Sequence, residues 1–226
     1  GLNRTTLLDY PGKVAASVFL GGCNFRCPFW HNGDLVLHSK ELPYLEEEEV
    51  LSFLEKRKNV LEGVCITGGE PTLYGELTEL IEKIKRLGYL VKLDTNGTNP
   101  SMVKSLITKG LIDYVAMDIK APISKYEKVC GVSCDMQKIQ ETVEVLKKEM
   151  VNYEFRTTVV KELHTKEDIL EIGKWISGAK SYYLQSYQET EKNICQGFHA
   201  MEKEELFALK KELKHNIQNV QTRGVE

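Results

Sequence analysis

Short apolar runs alternate with amphipathic segments along the chain, which is the pattern of repeated strand and helix units. The apolar runs are VAASVFL, GVCIT, YLVKLD, DYVAMDI, NYEFRTTVV and SYYLQSY. The segments with one apolar stripe are EEEVLSFLEKR, ELTELIEKIKRLG, SMVKSLITKG, MQKIQETVEVLKKE, KEDILEIGKWI and MEKEELFALKKEL. Because most of the strands are apolar on both faces, we predict a parallel sheet covered by helices, built from about six βα units.

Six such units can form an open doubly wound sheet or a partial barrel, and periodicity leaves both arrangements open. In either one, ligands bind at the carboxyl ends of the strands. The chemically distinctive residues of this chain fall at those ends, in GGCNFRC, TGGEPT, DTNGT, MDIK and LQSYQ, while Arg156 lies inside the fifth strand. We therefore expect one rim of the sheet to collect thiols, glycines, carboxylates, a lysine and amides.

Composition and charge exclude several classes of function. The chain has 226 residues, 42% hydrophobic and 28% charged, as expected of a soluble globular protein, and no linker interrupts it. We expect a single domain over residues 1–226. A net charge of −3 with interspersed acidic and basic residues predicts no nucleic-acid partner. VAASVFL is too short to cross a membrane and lacks the flanks of a secretory signal, so we expect a cytoplasmic protein without a membrane partner.

Cys23 and Cys27 are spaced as CxxxC in a glycine-rich loop. In a cytoplasmic chain, cysteines serve metal binding, redox chemistry or plain burial more often than a disulfide framework. Two thiolates do not close a structural zinc site, which needs four ligands. His31 could add one ligand, or it could be a solvated loop residue.

The glycine and carboxylate motifs each have a functional and a structural interpretation. Gly68 and Gly69 in TGGEPT would let the backbone approach a ligand, or would serve only the turn between a strand and a helix. In DTNG, Asp94 and Thr95 could offer oxygen atoms to a cation or a polar ligand, whereas Asp94 could also be a helix cap.

Charged residues mark the fourth and fifth strands. Asp118 and Lys120 in MDIK point the same way if the strand continues that far, and they could form a structural ion pair. Arg156 lies in an otherwise apolar strand, where burial requires an anion beside it. That anion would be a ligand carboxylate or an internal acid such as Asp118, unless an edge position lets the arginine reach solvent.

Taken together, these motifs resemble those of the radical S-adenosylmethionine superfamily. The order CxxxC, GGEP, DTNG, DIK and a late strand arginine carries the resemblance. The stretches TTLLDYPGK, CNFRCPF, VCITGGEPTL, EFRTTVVKELHT and YYLQSY are most similar to glycyl-radical activating enzymes, and among them to activating proteins of anaerobic ribonucleoside-triphosphate reductases. The resemblance covers almost the whole chain and implies a partial (β/α)6 barrel.

The resemblance also implies a chemistry. Three thiolates of CxxxCxxC would hold a [4Fe-4S] cluster, and S-adenosylmethionine would bind the fourth iron. An electron from a donor such as flavodoxin or ferredoxin would then break the bond between the sulfonium and C5′. The 5′-deoxyadenosyl radical would take hydrogen from a glycine of the partner reductase, so the chain would be an oxidoreductase whose cofactors break the bonds.

Individual roles follow from the same resemblance. Lys120 would reach the ribose and Arg156 the cofactor carboxylate, while Gln188 follows the sixth strand where a related activase has a histidine. The full set implied for cofactor binding is Phe29, Trp30, His31, Gly68, Gly69, Glu70, Asp94, Thr95, Asp118, Lys120, Arg156 and Gln188, with Cys23 and Cys27 as cluster ligands. The positions that hold a monovalent cation in pyruvate formate-lyase activase are matched here by Asp94, Thr95, Met117 and Asp118.

Trp30 departs from the family pattern, because it occupies the third cysteine position. An indole offers an N–H donor and no lone pair for iron, and its bulk would intrude on the cluster. We therefore expect little or no cluster and weak or absent radical generation. Two alternatives stay open: a cluster-deficient relative that binds S-adenosylmethionine or a partner protein, and a radical enzyme that acts on a small molecule.

The other thiols have less defined roles. Cys65 lies within the second strand, where we expect it to pack as a small hydrophobe. Cys130 and Cys134 repeat the CxxxC spacing, but their surroundings resemble no known iron–sulfur arrangement. Cys195 follows the sixth strand without a motif around it.

Overall fold

Eight strands and eight α-helices form the regular structure of residues 1–225, the part of the chain that this computed structural model describes. The strands are β1 (Leu2–Thr6), β2 (Ala15–Leu20), β3 (Gly63–Gly68), β4 (Leu90–Thr95), β5 (Tyr114–Asp118), β6 (Asn152–Val159), β7 (Ser181–Ser186) and β8 (Asn219–Arg223). The helices are α1 (Gly33–Leu37), α2 (Glu47–Lys56), α3 (Leu77–Arg86), α4 (Pro100–Thr108), α5 (Tyr126–Cys130), α6 (Met136–Lys147), α7 (Lys166–Trp175) and α8 (Lys203–Leu213).

The strands form one sheet whose spatial order follows the chain from β1 to β8. β1 runs antiparallel to β2, and every later pair of neighbours is parallel. A doubly wound sheet would reverse its strand order at a switch point, and this sheet does not. The predicted partial-barrel α/β fold is therefore confirmed, and the doubly wound alternative is excluded.

The prediction of six strands was incomplete, because the edge strands β1 and β8 were missed. Their sequences, LNRTT and NVQTR, are mostly polar, and their side chains are mostly exposed or half-buried. An edge strand has one free side and needs fewer apolar residues than a central strand. Hydrophobic periodicity therefore has little to detect in these two segments.

The six longer helices all appear where the sequence predicted them, and side-chain caps define several of their first turns. Asn99 accepts a hydrogen bond from the backbone of Met102 at the start of α4, where Pro100 begins the helix. Thr165 and Asp168 form a reciprocal capping box at the start of α7. Within residues 1–225, none of the helices is long and apolar enough to cross a membrane.

One hydrophobic core joins the helices to the sheet. In α3 the buried stripe consists of Leu77, Leu80, Ile81 and Ile84, and it packs in the same cluster as strand residues such as Val64. This packing gives the central strands a rigid backing. Their carboxyl ends, where the distinctive residues lie, are thereby held in a defined arrangement.

Replacement of Ile81 by alanine tests this packing. Ile81 is fully buried, so Ile81→Ala should lower the free energy of unfolding by about 2–5 kcal/mol through lost burial and the cavity left behind. Leu8 is 89% exposed, so Leu8→Ala should change it by less than about 0.5 kcal/mol. Urea denaturation measures both. Equal losses in the two variants would contradict the placement of Ile81 in the core.

Candidate active site

A single cavity of about 460 Å³ collects most of the distinctive residues at the carboxyl ends of the strands. Its size lies within the range of small-molecule and cofactor sites. Of the residues that the sequence singled out, those lining it are Cys23, Cys27, Phe29, Trp30, His31, Gly68, Gly69, Asp94, Thr95, Asp118, Lys120, Arg156 and Gln188.

The glycines of TGGEPT allow two backbone loops to touch. Gly68 has a φ of +124°, and a Cβ added there would lie 2.2 Å from the carbonyl oxygen of Leu20. A Cβ on Gly69 would lie 1.9 Å from the carbonyl oxygen of Gly22, beside Cys23. The Gly69 N–H also donates to the Leu20 oxygen over 2.9 Å. The glycine pair is therefore required by the close approach of the loop that carries the first cysteine.

Glu70 does not line the cavity, unlike the two glycines before it. It is 1% exposed, and its carboxylate accepts hydrogen bonds from the Thr72 hydroxyl over 2.6 Å, the Thr95 hydroxyl over 2.8 Å and the Asn96 backbone N–H over 2.6 Å. Burial raises the pKa of this carboxyl, although those donors oppose the shift. Through these hydrogen bonds, Glu70 links the loop that follows β3 to the loop that follows β4.

A network of buried and partly buried charges runs across β4, β5 and β6. The Arg156 guanidinium donates to Asp118 Oδ1 over 2.8 Å and to Asp94 Oδ2 over 3.3 Å. Lys120 donates to Asp118 Oδ2 over 2.9 Å, and the ammonium of Lys92 donates to Asp94 Oδ1. The anion that Arg156 required is thus supplied inside the protein by two acids. Three cations face two carboxylates, so the network carries one excess positive charge.

The charges in this network hold one another ionised. Burial alone would raise the pKa of Asp118, but the neighbouring Arg156 and Lys120 outweigh it and hold that pKa well below its usual range. Burial also opposes ionisation of Asp94, and there Arg156 and Lys92 lower the pKa. Both carboxylates are therefore charged at neutral pH, and Lys120 and Arg156 present cationic groups to the cavity.

The backbone of Lys120 is fixed by two side chains that the sequence did not single out. Its N–H donates to the Tyr126 hydroxyl over 3.2 Å, and its carbonyl oxygen lies 2.8 Å from His164 Nε2. His164 Nδ1 accepts from the N–H of Val160 over 3.0 Å, so Nε2 carries the proton and donates to Lys120. His164 is 2% exposed, and burial lowers its pKa. Nothing in the motif around His164 indicates this role.

The segment from Pro28 to Gly33 is held by the loop between β7 and α8. We call residues 188–200 the strap. The strap residue Ile194 donates its N–H to the Trp30 carbonyl over 3.1 Å, and the buried Asn193 side chain donates to the Phe29 carbonyl over 3.1 Å. The N–H of Cys195 likewise donates to the Pro28 oxygen over 2.8 Å. These bonds fix the backbone that carries the third cysteine position.

Trp30 places its indole in the cavity. The Lys120 ammonium lies 4.9 Å from the centre of the indole, and the His31 ring lies 4.9 Å from it on a tilted plane. The indole Nε1 is buried, and within residues 1–225 it has no hydrogen-bond partner. An unpaired buried donor is unfavourable, so the indole is held by ring contacts alone.

Other cavity residues were missed by the sequence analysis. They come from several parts of the chain: some, such as Thr67, Asn96 and Gln185, lie in quoted motifs beside the residues singled out, whereas β8 carries no motif. The missed lining residues include Asp9, Phe19, Thr67, Asn96, Thr158, Gln185, Ser186, Arg223 and Gly224.

A comparison with protein families decides how this site is classified. The model of the Radical SAM superfamily matches residues 17–176, which include GGCNFRC, TGGEPT, DTNGT, MDIK and Arg156. The chain belongs to the radical S-adenosylmethionine superfamily. Enzymes of this superfamily use a [4Fe-4S] cluster and S-adenosylmethionine, and the resemblance inferred from the motifs is confirmed.

The relatives of this radical S-adenosylmethionine protein are named for different activities. It is 36% identical over 194 residues to the "Putative glycyl-radical enzyme activating enzyme MJ1227" of Methanocaldococcus jannaschii, covering 83% of this chain and 79% of that protein. It is 33% identical over 136 residues to the 7-carboxy-7-deazaguanine synthase of Neisseria meningitidis, covering 60% of this chain and 58% of that protein. The relatives thus include one named as an activating enzyme and one named for the synthesis of a small molecule.

Solved structures share the fold at low identity. The crystal structure of Streptococcus suis SuiB has a TM-score of 0.73 at 17% identity and covers 93% of this chain. This chain spans about half of the SuiB chain, 49% of its length. SuiB bound to S-adenosylmethionine gives a TM-score of 0.72 at the same identity, covering 92% of this chain and 50% of that one. At this identity the likeness shows the fold alone.

The cluster of the superfamily does not fit the residues present here. Cys23 and Cys27 supply two thiols, and burial raises the pKa of Cys23 to about 11. Cys130 is fully buried, and its thiol donates a hydrogen bond that lowers the pKa of Cys27. Even so, the described residues contain no group of three His, Cys, Asp or Glu side chains that could hold a metal ion. Trp30 fills the third position with a side chain that cannot bind iron.

The loop contact at Gly69 can be tested with a matched glycine. Gly69→Ala should lower the free energy of unfolding by about 1–3 kcal/mol or more, because its Cβ meets backbone atoms of Gly22 that have no room to move. Gly75 has open space around it, so Gly75→Ala should have an effect below about 0.5 kcal/mol. Urea denaturation distinguishes them, and a neutral Gly69→Ala would show that the loops do not touch.

The buried His164 predicts a pH-dependent stability. Because its pKa is lowered in the folded state, the unfolded chain takes up the proton first, so stability falls as the pH drops below about 6.5. His164→Gln should remove this part of the slope, which is at most about 1.4 kcal/mol per pH unit. Denaturation at pH 7.5 and 5.5 measures it, with the exposed His215→Gln as control. An unchanged slope in His164→Gln would contradict the neutral, donating imidazole.

Proposed function

We propose that this chain is the scaffold of a glycyl-radical activating enzyme, with anaerobic ribonucleoside-triphosphate reductase as its partner. The observation that carries the proposal is the cavity, where loop glycines converge with the cations Lys120 and Arg156, both held by Asp118. The similarity to an activating enzyme of M. jannaschii over 83% of the chain supports the reaction class. The motifs TTLLDYPGK and EFRTTVVKELHT support the choice of partner.

The proposed ligand of the cavity is S-adenosylmethionine. Its carboxylate would accept from the Arg156 guanidinium, and its ribose hydroxyls would accept from Lys120. Asp118 orients both donors, since it bonds to each of them. Backbone groups at Gly68 and Gly69 would face the amino group of the ligand. Further contacts with the ligand would come from Phe29, His31, Thr95 and Gln188, which also line the cavity.

Trp30 determines what this chain can do with that ligand. The cluster would supply the electron that cleaves S-adenosylmethionine, and Cys23 and Cys27 alone do not hold it. The indole is nevertheless accommodated by ring contacts with Lys120 and His31. We therefore propose that the chain as it stands binds S-adenosylmethionine without cleaving it, and that the scaffold around position 30 is otherwise intact.

Restoring the third cysteine tests the proposal. After anaerobic reconstitution with iron and sulfide, Trp30→Cys should bind about four irons per chain and form 5′-deoxyadenosine from S-adenosylmethionine and a chemical reductant. Trp30→Ser is the matched control, because it removes the bulk of the indole without adding a thiolate. It should bind little iron and form no product.

Two results would contradict parts of the proposal. Failure of Trp30→Cys to exceed the Trp30 protein in 5′-deoxyadenosine would contradict the radical scaffold. Product formation without a glycyl-radical signal, measured by electron paramagnetic resonance on added anaerobic reductase, would contradict the proposed partner. That second result would favour a small-molecule substrate, as for the synthase of N. meningitidis named above.

A further inference from the structure

Lys92 is a buried cation to which the proposed function assigns no role. It lies on β4, its side chain is 2% exposed, and it is absent from the lining of the cavity. Its ammonium donates to Asp94 Oδ1 and lies 3.7 Å from the Cys65 sulfur. A lysine at this depth would be strongly unfavourable without a carboxylate, so the pair with Asp94 is required for both groups to be buried as ions.

The resemblance implied a monovalent cation bound by four residues. Two of them, Thr95 and Met117, have side chains that make other contacts within the chain. The hydroxyl of Thr95 donates to Glu70 over 2.8 Å and accepts from the N–H of Gly97 over 3.1 Å. The Met117 side chain lies against Gly97, where a Cβ would be 2.2 Å from its terminal methyl carbon. The Thr95 hydroxyl and the Met117 side chain are therefore already engaged in contacts within the chain.

The two carboxylates of that set already have cationic partners. Asp94 is bonded by Lys92, by Arg156 and by the Thr67 hydroxyl, the last over 3.1 Å. Asp118 is bonded by Arg156 and by the lysine two residues after it. A further cation here would face three positive charges, which repel it at short range. The donor set does not fit a monovalent cation.

We propose that Lys92 takes the place of that cation. Its ammonium supplies, from within the chain, the positive charge that holds Asp94 in position beneath the cavity and that leaves the network with its excess of one. Lys92 is thus a positioning residue that acts through Asp94 and Arg156. The consequence for ligand binding rests on S-adenosylmethionine being the ligand, as proposed above, whereas the neutralisation of Asp94 does not.

The proposal predicts that alkali cations become important only when Lys92 is removed. In Lys92→Gln, Asp94 loses its main partner, and the network falls from one excess positive charge to none. A carboxylate with an adjacent amide oxygen is a suitable site for K⁺ or Na⁺, whereas tetramethylammonium is too large and offers no bare charge. Lys92→Gln should therefore be stabilised by K⁺ or Na⁺, and the unaltered protein should not be.

Thermal unfolding at fixed ionic strength, in potassium, sodium or tetramethylammonium chloride, tests this without any cofactor. K⁺ or Na⁺ should raise the midpoint of Lys92→Gln by about 2–4 °C or more over tetramethylammonium. The midpoints of the unaltered protein and of Lys85→Gln should agree in all three salts to about 1 °C, a shift worth under half a kcal/mol. Lys85 is the matched control because it pairs with Asp113 near the surface.

Calorimetry with S-adenosylmethionine is the second measurement. The unaltered protein should bind equally in all salts, and Lys92→Gln should bind about fivefold or more weakly in tetramethylammonium than in K⁺. Stabilisation of the unaltered protein by K⁺ or Na⁺ would overturn the proposal. So would a folded Lys92→Gln whose unfolding midpoint is the same in all three salts. If no form binds S-adenosylmethionine, the proposed function fails, while the thermal measurement still decides the role of Lys92.

A double variant covers the case in which Lys92→Gln does not fold. Lys92→Gln with Asp94→Asn removes both charges of the pair, so it should fold and show no response to alkali cations. Failure of the double variant to regain stability over the single one would overturn the pairing of Lys92 with Asp94 as the reason for burial.

Discussion

The pairing of Arg156 with two partly buried carboxylates is the constraint on which the site depends. Asp118 and Arg156 are direct neighbours across β5 and β6, and Asp94 reaches the same guanidinium from β4. Largely buried ions are tolerated only when paired, so β4, β5 and β6 must place these three side chains side by side. The network thereby sets the geometry of the rim and the places where Lys120 and Arg156 present cationic groups to the cavity.

Backbone contacts between loops also hold the site in place. The loop after β2 touches the loop after β3 through glycines, and the strap bonds to the main chain on either side of Trp30. These contacts do not depend on the side chain at position 30. A scaffold of this kind can keep its shape when the third cysteine is replaced, and it explains how a large indole can lie in the cavity beside Lys120.

Much of the fold was predictable from local pattern. The six longer helices carry a regular apolar stripe, and the six inner strands are short, mostly apolar runs, so both are visible in the sequence. The rim residues were also predictable, since parallel strands bring their carboxyl ends together. β1 and β8 were not, because edge strands need few apolar residues. The roles of Lys92 and His164 were not predictable either, since each depends on a partner distant in sequence.

The sequence by itself determined the parallel α/β architecture, the edge of the sheet that carries the chemistry and the loss of a thiol at position 30. Only the tertiary structure decided which charges pair, that Glu70 turns away from the cavity and that the strap holds the segment around Trp30. The division has a physical reason. Periodicity reports burial, which is a property of each segment, whereas hydrogen bonds and ion pairs depend on distances between segments that only the folded chain brings together.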